Sequence, residues 1–195
     1  FGGHKFVVYA SRDDAEGYEQ YDPFEASATD RKRSYDVRSA GVKYGHDFSD
    51  RLRFDFLYHH TDAVLDNNSA ARTRRAYNDR DEDILSARLD YALNDNVRLF
   101  LKGYLHDWDT TYANIQNDPV TGEEVVIFPP GTYWGYRDYG ASALAKIAPG
   151  GALEYHLGYD FQNYKARDDV FPIAGRTETV HAAIGEIRTT EMFSD

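Results

Sequence analysis

The residues able to do chemistry in this chain are numerous but poorly grouped. Asp and Glu number 33 against 22 Lys and Arg, with seven His and no Cys. Lack of cysteine rules out a disulfide framework, thiolate metal sites and a cysteine nucleophile. The sequence holds no Gly-x-Ser-x-Gly, no phosphate-binding loop, no His-Glu-x-x-His and no Gly-x-Gly-x-x-Gly. No enzymatic site, cofactor or resident metal is therefore expected. The formal net charge of −11 opposes nucleic-acid binding, which needs clustered cations on one face.

Four smaller groupings remain. His59 and His60 are adjacent, so on a strand they point to opposite faces and do not easily share a metal. Of His106, Asp107 and Asp109, the two carboxylates share a face, and a rim strand entering a polar loop explains them. Asp79, Asp81 and Asp83 alternate beside Glu82 in a calcium-like spacing. No glycine turn follows and Arg80 lies among them, so a solvated loop is the preferred reading. Arg72, Arg74 and Arg75 form the basic cluster, in the middle of a long polar segment, and are candidates for contacting anionic ligand or lipopolysaccharide phosphate. Ordinary loop solubility is the competing explanation.

The segment from Thr110 to Tyr133 is the most suggestive. It carries Tyr112, then Val125 to Phe128, then Pro129-Pro130-Gly131, and leads into Tyr133-Trp134. Apolar and aromatic residues on a loop call for a ligand, a partner or a neighbouring loop. Tyr112, Tyr133 and Trp134 are thus ligand-contact candidates, against the plainer reading of a small hairpin packed on its neighbours.

The elements that hold these residues have a period of two. Leu153, Tyr155, Leu157, Tyr159 and Phe161 alternate with Glu154, His156, Gly158, Asp160 and Gln162. The same alternation runs through Ala40–Tyr44, Leu52–Tyr58, Leu85–Leu93, Val97–Leu101 and Tyr139–Ile147. Two less regular strands are expected near Lys5–Ser11 and Val180–Thr189. Ser49-Asp50, Asn94-Asp95-Asn96 and Pro149-Gly150-Gly151 read as tight turns. Between these hairpins lie long polar segments, roughly Asp13–Lys32, Asp66–Arg80, Thr110–Tyr133 and Arg167–Arg176. Short and long connections alternate, as in an up-and-down membrane barrel with short periplasmic turns and long extracellular loops. A Greek-key sandwich gives no reason for that order. Mean hydropathy is only −0.67, yet aromatics reach 15% with 16 Tyr. A barrel has this profile because its apolar residues are spread over alternate positions. Tyr44, Phe48, Tyr58, Tyr91, Tyr139, Tyr159 and Phe161 lie on the apolar faces near strand ends and are expected to form interfacial girdles.

Three stretches carry a resemblance to a known family. They are Arg38–Leu52, Leu99–Asp109 (LFLKGYLHDWD) and Ala148–Asp160 (APGGALEYHLGYD). Each is similar to barrel hairpins of TonB-dependent outer-membrane receptors, and the texture extends from about Ser34 to Thr190. The resemblance implies a plugged barrel of about 22 strands in the bacterial outer membrane. It implies uptake of a ferric siderophore or similar scarce nutrient, energised by the TonB complex through the plug. Outer-membrane lipid and lipopolysaccharide would be its surroundings. Neither a plug nor a TonB-binding box is found, and Met192-Phe193-Ser194-Asp195 lacks a terminal aromatic residue. The expectation is accordingly that residues 1–195 are an internal barrel fragment of about eight strands, without the plug and remaining strands. The alternative is a small self-contained eight-stranded outer-membrane barrel with a structural or adhesive role.

Overall fold

The computed structural model describes residues 3–17, 34–67, 73–118, 120–150, 152–171 and 173–189, with backbone alone at 73, 74, 173 and 174. Eight antiparallel strands form one sheet in chain order. They are β1 (His4–Ala15), β2 (Tyr35–Ser49), β3 (Leu52–Asp66), β4 (Thr73–Asn94), β5 (Val97–Asn117), β6 (Glu124–Ile147), β7 (Leu153–Asp168) and β8 (Ile173–Thr189). The expected all-β, up-and-down meander is what the chain forms, and the two irregular strands near the ends are both present. The sheet is not closed: β1 and β8 are its edges.

Register fixes which side chains share a face, because antiparallel partners point the same way. One row runs Phe54, Leu89, Leu101, Ala143, Tyr159, Ala183 across β3 to β8. The row beside it runs Asp55, Arg88, Lys102, Ser142, Asp160, Ala182 and belongs to the opposite face. The sheet thus has one apolar face and one charged face. Among the described residues nothing packs on the apolar face. Leu101 is 43% exposed and Leu157 54%. Among the described residues the buried hydrophobic side chains are Ala63, Ala76 and Ala113. A single layer with an uncovered apolar face must bury it against something outside itself.

The apolar face is bounded. In β6 it runs from Tyr139 through Ala141, Ala143 and Ala145 to Ile147, about 27 Å of strand at ~3.4 Å per residue. At a tilt of about 40° that is roughly 20 Å of height, close to the apolar band of an outer-membrane barrel. The next same-face positions, past Leu85, Leu105 and Tyr139, are Asp83, Asp107 and Arg137, which pair in one row. An abrupt change from aliphatic to charged occurs there on three neighbouring strands.

The tight turns form where expected. The Asn94 side chain accepts the Asn96 amide at 2.9 Å, and Ser49 Oγ accepts the Arg51 amide at 3.2 Å. The long connections differ from expectation. β5 and β6 run on as a paired ribbon to Asn117 and Glu124, so most of Thr110–Tyr133 is strand, with a turn at 120–121. Asp79, Asp81 and Asp83 are likewise in β4 rather than in a loop. Main-chain pairing continues beyond the apolar band because polar alternation satisfies a two-stranded ribbon as well as apolar alternation does. Pro129 and Pro130 are accommodated by an irregularity: Tyr112 pairs with Thr132, but Asn114 pairs with Phe128. Residues 129–131 are left without partners on β5, where proline's missing donor costs nothing, and Gly131 takes φ +85°. Thr132 Oγ1 closes the bulge by donating to the Pro129 carbonyl at 2.7 Å. The segment expected at Asp13–Lys32 lies mostly outside the described residues.

Candidate functional site

The β4–β5–β6 ribbon places a patch of aromatic and charged side chains on the charged face, beyond the level of the apolar band. The even-numbered residues of these three strands share that face, so Arg80, Thr110 and Trp134 form one row and Glu82, Trp108 and Tyr136 the next. The Trp108 ring meets Trp134 edge-on at 4.7 Å and Tyr136 at 5.0 Å. Arg80 lies over the Trp108 ring at 5.6 Å. His106 Nε2 is 2.8 Å from Glu82 Oε1, and its other nitrogen is 3.3 Å from the Tyr136 hydroxyl. Trp108 Nε1 and Thr110 Oγ1 are buried with no hydrogen-bond partner among the described residues, a costly state for a donor.

One step further from the band, the same face opens into a hollow of about 480 Å³. Tyr112, Phe128, Trp134 and Phe171 supply its aromatic walls, and Asn78, Asn114 and Asp168 its polar groups. Tyr112 and Phe128 meet edge-to-face at 5.3 Å. An apolar concavity with a few convergent polar groups suits a planar or chelated small molecule.

The candidates drawn from sequence divide between the two faces. Tyr112 and Trp134 line the hollow. Tyr133, one residue from Trp134, points the other way because strand side chains alternate. Its hydroxyl donates to the Asp109 carboxylate, and the Arg167 guanidinium lies 4.9 Å from its ring. Beyond the apolar band, burial and the bond to Asp109 push the Tyr133 phenol up to about 12. Arg75 stacks on Tyr77 at 4.7 Å and does not line the hollow. Arg74 is in β4, not in a loop; its side chain, like the whole of Arg72, lies outside the described residues. Phe171 and Asp168 carry no sequence signal: β6–β7 pairing sets Asp168 opposite Trp134, and the turn after β7 brings Phe171 to the hollow.

Of the aromatics expected at the interfaces, Tyr44, Tyr58, Tyr91, Tyr139, Tyr159 and Phe161 share the apolar face by register. Phe48 packs edge-on against His46 of that face at 4.3 Å. Tyr44, Tyr58, Tyr139 and Phe161 stand next to the first polar position of their own strands, His46 in the case of Tyr44, whereas Tyr159 sits inside the apolar run.

His60, Asp81 and Asp83 are the described residues that come together as metal-ligand types, with one ligand atom each within 4.8 Å of the others. Sequence order hid this grouping, because β3–β4 pairing sets His60 opposite Asp83. His60 Nδ1 is 3.0 Å from Asp83 and the Tyr58 hydroxyl donates to the same carboxylate at 2.8 Å. These exposed groups satisfy one another as a rim network.

No protein-family model matches the chain, and no curated protein does. Among solved structures the fold is similar to BauA, the ferric preacinetobactin receptor from Acinetobacter baumannii, with a TM-score of 0.53 at 14% identity. The likeness covers 94% of this chain and 35% of the receptor, so the chain spans about a third of its length. At that identity the shared property is the fold, an antiparallel up-and-down meander.

Proposed function

We propose that this chain is a wall segment of an outer-membrane transport receptor for a ferric siderophore or similar scarce nutrient, energised through TonB. The observation that carries the reading is the two-faced sheet. Its apolar face has a bilayer-sized band that ends in a row of charges, and its other face is charged, with an aromatic hollow beyond the band. The likeness to a ferric siderophore receptor supports the same reading at the level of fold. On this reading the apolar face meets lipid, and Tyr58, Tyr91, Tyr139, Phe161 and Phe48 sit at headgroup depth. The hollow lined by Tyr112 and Trp134 contacts ligand at the outer mouth. Residues 1–195 form part of the barrel, and the plug that would engage TonB lies elsewhere in the full receptor.

The absence of cysteine makes the test clean. Single cysteines placed from Tyr139 to Ile147 in liposome-reconstituted chain are labelled with a fluorophore and exposed to lipid-borne quencher. Odd positions should be quenched and even ones spared. Equal quenching at all positions, or none at any, would refute the membrane wall. The ligand arm titrates ferric catecholate and ferric hydroxamate chelates against tryptophan fluorescence. Saturable quenching that weakens in Trp134→Phe supports the transport reading, and its absence with every chelate counts against it.

A further inference from the structure

At the opposite end of the charged face, near the tight turns, lies a second hollow of about 520 Å³. Five cations line it, Lys5, Lys43, Arg53, Arg88 and Lys102, with Asp55 as the one lining carboxylate. This concentration of positive charge stands in a chain of net charge −11.

The carboxylates around it are already engaged. Asp55 is held by Arg53 at 2.9 Å, and Lys5 is 3.6 Å from Asp47. Arg88 reaches Asp90 only at 3.9 Å, while Asp90 is bonded by Arg98 at 2.6 Å. Lys43 and Lys102 have no carboxylate partner among the described residues. Each instead lies 5.6 Å from a tyrosine ring, Tyr9 and Tyr104 respectively. Two lysines therefore face the hollow with uncompensated charge, and Arg88 sits between them, opposite Lys102 in register.

The spacing selects the guest. Lys43 is on β2 and Lys102 on β5, three strands apart, about 15 Å between main chains at ~4.8 Å per strand. One small anion cannot meet both, but an extended one can. We infer that this hollow is a binding site for an extended polyvalent anion, a polyphosphate or polycarboxylate, held by Lys43, Arg88 and Lys102. The surrounding negative field repels anions at long range, so binding is local and strongly salt-dependent. The site is independent of the transport reading, since it needs the folded sheet and not the bilayer.

The test is calorimetric titration of the detergent-refolded chain with tripolyphosphate, citrate and inorganic phosphate. Tripolyphosphate or citrate should bind saturably, at least tenfold tighter than phosphate, and lose several-fold affinity between 0.05 and 0.5 M salt, over which the Debye length shortens about threefold. Which of the two extended anions binds tighter assigns the class. The Lys43→Gln/Lys102→Gln variant should weaken binding at least tenfold, and Lys43→Arg/Lys102→Arg should restore it. Far-UV circular dichroism confirms that each variant is folded. Equal affinity for phosphate and tripolyphosphate, or unchanged binding in the glutamine variant, would overturn the site, as would no binding at all. A chain that fails the lipid-quenching test yet passes this one loses the transport reading and keeps the anion site.

Discussion

Leu101→Arg separates a lipid-facing sheet from a water-facing one by magnitude alone. Leu101 lies near the middle of the apolar run of β5, flanked in register by Leu89 and Ala143, and is 43% exposed. If that face meets water, arginine at a half-exposed position changes stability by no more than about 0.5 kcal/mol. If it meets lipid at mid-depth, the cost is about 2–4 kcal/mol, falling to about 0–1 kcal/mol near the interfaces. About 3 kcal/mol is a more than hundredfold shift in the folding equilibrium. Leu153→Arg, on the same face but at the turn end of β7, should therefore cost distinctly less. Gln162→Arg is the control on the charged face, where Asp160 accepts from Gln162 at 2.7 Å and would accept from arginine equally well. It should stay within about 0.5 kcal/mol of the parent. The assay is urea titration of liposome-reconstituted chain, followed by fluorescence of Trp108 and Trp134, both distant from the substituted sites along their strands. Ordering the losses as Leu101→Arg, then Leu153→Arg, then Gln162→Arg supports the lipid-facing assignment. Equal losses for Leu101→Arg and Gln162→Arg would refute the reasoning.

Two further outcomes follow from local geometry. A Cβ on Gly41 would lie 2.4 Å from the Tyr9 ring and 2.8 Å from the Tyr58 carbonyl. Gly41→Ala should then cost about 1–3 kcal/mol by overpacking, and Tyr9→Ala should relieve only the side-chain part of it; a urea midpoint unchanged from the parent would count against this packing. Tyr133 has a folded-state pKa near 12 against an ordinary value of 10.0. Its contribution is complete below about pH 10 and is lost as pH rises through 12, because the unfolded phenol ionises first. Absorbance at 295 nm should show a late-ionising phase whose amplitude Tyr133→Phe lowers by one tyrosine, and an undiminished late phase in the variant would sink the assignment.

The alternation of Leu153 to Gln162, the Asn94-Asp95-Asn96 turn and the polar segments between hairpins are local signals, and they suffice for an antiparallel meander with one apolar face. They also suffice to place Tyr112 and Trp134 on suspicion, since exposed aromatics in a polar stretch are visible without a fold. Strand ends were not legible beyond the apolar band. Asp79–Asp83 reads as loop because polar ribbon and polar loop have the same composition, and only pairing with a partner strand distinguishes them, whereas the small hairpin that the sequence offers for Val125–Phe128 is what forms. Strand alternation does not apply to a segment read as loop, so Tyr133 falls in with Trp134 there, although one residue's difference sends them to opposite sides of β6. The hollows are tertiary in the strict sense. Tyr112, Phe128, Trp134 and Phe171 come from β5, β6 and the turn after β7, and Lys43 and Lys102 from strands three apart. Sequence determined the period, and the period determined the sheet and its two faces; cross-strand register, a long-range property of paired main chains, decided which residues meet on them.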